Sequence, residues 1–164
     1  MNINMNEVAK KLIITDPCYL LDSEEWAECC RVFGDDKSET QTAFLKKVEK
    51  KLTQKSNIKQ VVGVANSPDG DGSYFVEPLN STKAREFEFW IDSGTWCVCV
   101  VDSFNIPEHF SDDGVARIEI ETIGNLCVKK YENMPKSRYY IVSGSQDIAV
   151  IDFDAELDDF SDDD

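Results

Sequence analysis

The chain has 164 residues, 41% of them hydrophobic and 10% aromatic, and its 17 basic and 32 acidic side chains give a net charge of −15. That length and apolar content suit one ordinary core and argue against a chain too polar to fold. No apolar run approaches the ~20 residues of a membrane helix, and the opening Met1 to Glu7 lacks the basic-then-apolar pattern of a secretory signal. A cytoplasmic protein with no membrane partner is therefore expected.

The first predicted element is a strand over 11–15, stopped by Asp16-Pro17 because proline cannot donate to a ladder. Asp22 or Ser23 then offers an N-cap, with Glu25 placed to close a capping box. The helix so started, 24–33, spaces Trp26, Cys29, Cys30 and Phe33 for one buried face and ends at Gly34. A second helix, from Ser38 or Thr40 to Gln54, carries Phe44, Leu45, Val48 and Leu52 as an apolar stripe and lysines on its other face. Residues 44–60 sum to +5, so the rest of the chain carries −20.

From Lys59 the apolar period falls to two. It predicts strands over 60–65, 73–77, 87–91, 95–101, 115–121, 125–130, 138–142 and 148–153, punctuated by Gly, Asn, Asp, Pro and Ser. The runs Cys97 to Val101 and Ile148 to Ile151 are apolar on both faces and read as central strands. The predicted fold is α+β: a mostly antiparallel sheet of seven to eight short strands, with the two N-terminal helices on one face. Residues 1–153 form its single domain. Residues 154–164 read as a disordered acidic tail. Nine acids and no base fall between Asp147 and the C-terminus, leaving −6 for the remainder. Ile91-Asp92-Ser93-Gly94-Thr95 and Ile141-Val142-Ser143-Gly144-Ser145 echo each other, each leading into a buried strand closed by an aspartate.

Constellations with chemistry are sparse. The six cysteines include no C-x₂-C pair, and His109 is the one histidine, so the thiols read as small hydrophobes and neither metal nor cofactor is expected. Asp69-Gly70-Asp71-Gly72 looks like half a calcium loop. In that register Ser67 would fall at position 1 and Pro78 at position 12, so a glycine-rich turn is the better reading. Cys18 stands among Asp16, Asp22 and Glu24, which oppose a thiolate, and only His109 could serve it as a base. No catalytic residue is assigned. An alternative polar site comprises Asp16, Cys18, Asp71 and Asp92, at strand ends where carboxylates could pair for acid–base work.

Three blocks, Ile14-Thr15-Asp16-Pro17-Cys18-Tyr19-Leu20, Gly70-Asp71-Gly72-Ser73-Tyr74 and Ile91-Asp92-Ser93-Gly94 running to Asp102, occur in that order. They resemble a group of small, uncharacterised phage and bacterial proteins with a D-P-C-Y start, a G-D-G-x-Y turn and a D-S-G hairpin. The resemblance implies a microbial or viral origin and a β-rich fold, and no reaction.

The charge leads to the functional expectation. A non-enzymatic acidic interaction or inhibitor protein, of the anti-defence, immunity or antitoxin type, would bind a basic, nuclease-like or nucleic-acid-binding protein. It would mimic nucleic acid at most, without binding nucleic acid directly. Asp154, Glu156, Leu157, Asp158, Asp159 and Phe160 are the expected contact residues. Two alternatives stand beside it: a carboxylate-based hydrolase or small-ligand-binding domain, and a phage structural or assembly protein.

Overall fold

The computed structural model describes residues 9–30, 37–67, 70–79, 83–104, 114–121, 124–130 and 138–153. In chain order these contain β1 (Ala9–Thr15), a 3₁₀ turn (Pro17–Tyr19), α1 (Ser23–Cys30), α2 (Lys37–Thr53), β2 (Ile58–Asn66) and β3 (Gly72–Pro78). Then come β4 (Lys83–Glu86), β5 (Glu88–Ile91), β6 (Thr95–Val101), β7 (Ala116–Glu121), β8 (Leu126–Lys129), β9 (Arg138–Ser143) and β10 (Gln146–Asp152). The predicted tail, 154–164, lies outside the described residues.

The α+β class and the antiparallel pairing are as expected; the single sheet of seven to eight strands is not. Ten described strands form two five-stranded sheets, ordered β2-β6-β1-β7-β4 and β5-β3-β10-β9-β8. The sheets face each other across one core. Leu12 and Ile14 of β1, Trp96, Val98 and Val100 of β6, and Ile118 and Ile120 of β7 meet Tyr74 and Val76 of β3, Ile141 of β9 and Ile151 of β10. The helices cover the outer face of the first sheet alone.

Strand β6 shows why its sequence is apolar throughout. Its even-numbered residues enter the inter-sheet core, while Cys97, Cys99 and Val101 turn toward the helices, joining Ile13, Cys29, Phe44, Val48 and Leu52. A strand buried on both faces can carry no polar face. At one end of the core Phe153 packs edge-on to Tyr74 (4.8 Å) and Tyr139 (5.7 Å).

Local signals set the helix layer. Asp22 and Glu25 form the predicted capping box: each main-chain N–H donates to the other's carboxylate, at 2.9 and 2.7 Å. Burial pushes the Glu25 carboxyl up, but the Lys55 ammonium and the Asp22 N–H outweigh it and hold the carboxyl below its ordinary range. Trp26 meets the Phe44 ring edge-on at 5.6 Å, and Lys51 of α2 and Lys55 just after it reach Glu28 and Glu25 of α1. Among the described residues, no helix is long and apolar enough to cross a membrane.

Two links were unreadable locally. Strand β4, Lys-Ala-Arg-Glu, has no apolar alternation, and it pairs with β7 through main-chain register. The predicted D-S-G hairpin is instead a corner: β5 lies in the second sheet beside β3, whereas β6 lies in the first between β2 and β1.

Candidate functional site

Asp16 directly follows β1 and is fully buried. Pro17 follows with fixed φ and no N–H to satisfy, which suits the first position of the 3₁₀ turn that Asp16 caps. The carboxylate accepts from Cys18 N (2.8 Å) on Oδ1 and from Asp92 N (2.8 Å) and Ser93 N (2.6 Å) on Oδ2. The Ser93 hydroxyl lies 2.8 Å from both oxygens. A carboxylate offers about four acceptor sites, and these four donors occupy them.

The neighbouring residues add further ties. Thr15 Oγ1 donates to the Gly114 carbonyl at 2.9 Å, which also accepts from Trp90 N at 2.9 Å. The Tyr19 hydroxyl donates to Asp92. On the glycine-aspartate turn, Ser67 Oγ (2.8 Å) and Tyr74 OH (2.9 Å) both donate to the Gly70 carbonyl, and Ser67 N donates to Gly94 O (2.8 Å). A Cβ built on Gly94 would stand 4.0 Å from Asp71 Oδ1. The three sequence blocks thus converge on one joint, where the end of β1, the entry to β3 and the β5–β6 corner are fastened together.

The alternative polar site, Asp16, Cys18, Asp71 and Asp92, is therefore brought into one neighbourhood, and its electrostatics tell what it can do. Burial, then the Asp16 carboxylate, then Asp92 and Asp71, push the Cys18 thiol far above its ordinary range. Such a sulfur stays protonated near neutral pH and is a poor nucleophile. Asp16 is fully buried and its oxygens are engaged by main-chain N–H groups and the Ser93 hydroxyl. Asp71 and Asp92 are exposed. Among the described residues no group of three or more His, Cys, Asp or Glu is arranged to hold a metal ion. The arrangement positions backbone.

Beside the joint lies a cleft of about 480 Å³. Trp26, Cys30 and Phe44 of the helix layer form its apolar wall, and Asn66, Ser67, Ser93, Gly94 and Thr95 form its polar floor. None of these lining residues is charged.

His109 and the expected contact residues Asp154, Glu156, Leu157, Asp158, Asp159 and Phe160 lie outside the described residues. Of the lysines behind the +5 segment, Lys51 at the end of α2 faces Glu28 at 3.1 Å, Lys55 in the link after it faces Glu25 at 2.9 Å, and Lys59 in β2 faces Asp102 at 3.3 Å, so half of that positive charge is paired with acids of the body. Sequence reasoning missed Ser93, Tyr19 and Gly114 as parts of the joint, because their partners are distant along the chain. It also missed that Phe75 and Trp90 stand exposed. Their place on alternating strands was the available signal; which face stays uncovered depends on where the helices pack. Comparison of the chain with family models, curated proteins and solved structures finds no match.

Proposed function

We propose that this chain is a non-enzymatic acidic interaction protein that captures a basic protein partner, as an inhibitor of the anti-defence, immunity or antitoxin type acting in a bacterial cytoplasm. The observation that carries this reading is the charge distribution: nine acids without a base from Asp147 onward, within a total of −15. The ion pairs of Lys55 with Glu25 and of Lys51 with Glu28 support it, because they turn part of the compensating charge inward. The saturated Asp16 and the unreactive Cys18 also favour a binding role over a hydrolytic one. A field of this sign raises the encounter rate with a basic nuclease-like surface and opposes contact with nucleic acid itself.

Removing residues 154–164 is expected to leave the melting temperature unchanged and to slow association with basic nucleases and nucleic-acid-binding proteins several-fold at low salt. The difference should vanish near ~1 M salt, where the screening length is ~3 Å. Equal association rates at low salt overturn the reading.

The cleft supports a second one, a small-ligand-binding domain, since its volume lies within the range of ligand pockets. Its uncharged floor and Trp26–Phe44 wall suit a flat neutral molecule with a few hydrogen-bonding groups. Screening neutral aromatic fragments by Trp26 fluorescence tests this, and Phe44→Ala should abolish any response.

A further inference from the structure

Phe75, Phe87 and Trp90 are the large hydrophobic residues found exposed among the described residues, at 44%, 46% and 36%. They fall on two paired strands and the residue leading into one of them. Phe75 is the outward position of β3 opposite Glu88, Trp90 stands opposite Ser73, and Phe87 is the crossing point where the chain leaves β4 in one sheet for β5 in the other. Tyr74, Val76, Phe89 and Ile91 alternate with them into the core, so the outward aromatics do not fill it. No described helix packs on this face, because both helices lie on the other sheet. Exposed aromatics concentrated in one place mark contact surfaces more often than scattered ones do.

The charge on the same face selects the occupant. The outward side chains of β3 and β5 include two exposed acids, Glu77 and Glu88, and no base. Glu88 is held in place: its Oε2 accepts from Ser73 Oγ at 2.6 Å and from Trp90 Nε1 at 3.4 Å, fixing a carboxylate beside an indole ring. Asp71 and Asp92, both exposed, flank the Gly72–Ile91 pair at the end of the ladder. Arg138, two strands away, is engaged by Asp152 at 2.7 Å. A carboxylate fixed beside an aromatic face matches a guanidinium, which stacks on the ring while its N–H groups meet the acid.

We propose that the outer face of the β3–β5 ladder, centred on Trp90, Phe75 and Glu88, is the docking surface for an arginine-bearing segment of the partner. This deepens the interaction reading and rests on it: the acidic tail supplies attraction at a distance, and this face supplies the contact that persists. Aromatic and arginine anchors dominate such interfaces, whereas diffuse charge acts mainly on the association rate.

The test uses the full chain, ¹⁵N-labelled, titrated with a synthetic peptide of alternating arginine and serine and with the same peptide bearing citrulline in place of arginine. Among the indole signals of Trp26, Trp90 and Trp96, that of Trp90 should shift, while that of Trp96, buried in the core, should not. The citrulline peptide should leave all three unmoved. Glu88→Gln and Trp90→Ala should each weaken the arginine peptide by roughly tenfold, the loss expected of an interface anchor. Because Trp90 packs against Gly114, its loss could loosen the fold, so Phe75→Ser with an unchanged melting curve repeats the test at an exposed site.

Binding that is equal in all three variants but lost on removal of 154–164 overturns the docking face and leaves the acidic-capture reading standing. Failure of the intact chain to bind the arginine peptide at low salt overturns both. Equal response to a neutral apolar peptide, or a doubling of solution mass that Phe75→Ser abolishes, overturns the arginine-bearing occupant.

Discussion

Two turns of nearly the same sequence do opposite things. Ile91-Asp92-Ser93-Gly94-Thr95 and Ile141-Val142-Ser143-Gly144-Ser145 each place glycine at positive φ, 75° and 63°. The second closes a hairpin, with Ser143 paired to Gln146 across β9 and β10. The first sends the chain from the second sheet to the first. At the corner, the N–H groups of Asp92 and Ser93 and the Ser93 hydroxyl all go to the Asp16 carboxylate, from 76 and 77 residues earlier in the chain. At the hairpin, Gly144 N donates to Asn125 O at 2.8 Å, and the Ser143 hydroxyl is buried with no partner among the described residues. The Ser-Gly pair supplies the bend in both places. Whether the next strand returns beside its predecessor or crosses to the other sheet is set by what holds the turn from outside.

The sharpest way to break this comparison is to remove the external support. Asp16→Ala leaves several buried or part-buried donors unanswered, and losing one partner of a buried charged network costs about 3–5 kcal/mol. For a chain of this size that lowers the melting temperature by roughly 6–20 °C, while leaving the β9–β10 hairpin as the last region to lose hydrogen-exchange protection. A melting temperature within ~2 °C of the parent would mean the corner holds itself.

Next in size is Gly124→Ala on the hairpin side. A Cβ there would lie 2.8 Å from the Gly144 Cα and N, main-chain atoms that cannot swing aside. Overpacking of this kind costs about 1–3 kcal/mol. Urea unfolding should show the loss at an unchanged m-value, and a neutral result would mean that the chain before β8 does not press on the β9–β10 turn.

A pair of substitutions of comparable size separates the turns directly. Ser93→Ala removes a hydroxyl bonded to a carboxylate and should cost about 1.5–3 kcal/mol. Ser143→Ala removes a buried hydroxyl that has no partner, relieving a desolvated group, and should be neutral or stabilising by up to about 1 kcal/mol. Equal losses at both positions would sink the contrast.

Much of the strand pattern was legible because burial leaves a direct trace in sequence. The two-sided apolar run of β6, the stripe of α2 and the Asp22–Glu25 capping box all follow from spacing alone. The alternation that marks an inward face does not say which of two sheets it faces, so two five-stranded sheets read as one. Strand β4 left no trace because its ladder uses main-chain groups that every residue carries. Asp16, Cys18, Asp71 and Asp92 were grouped from their places at strand ends, and the fold sets the three carboxylates near the Cys18 thiol. Their role was not legible, since a saturated carboxylate and a reactive one are the same letter. What distinguishes them is the pair of N–H groups at Asp92 and Ser93, brought in by the fold.

The gentlest probe of the corner is pH. Burial and three surrounding carboxylates raise the Cys18 thiol in the folded state, whereas an unfolded cysteine titrates near ~8.5. A raised folded value means that the stabilisation is fully present below the unfolded value and is lost as pH climbs past it, because the unfolded thiol ionises first. Stability should therefore hold up to about pH 8 and decline beyond it. Other thiols contribute to that decline: Cys97, through its hydrogen bond to Cys99 and its burial, and Cys29 and Cys30, through burial, are raised as well. Cys18→Ala should make the alkaline slope shallower without removing it, and should leave the acid limb, where Glu25 acts, unchanged. An alkaline slope identical to the parent's would show that the carboxylates around the corner do not press on the Cys18 sulfur.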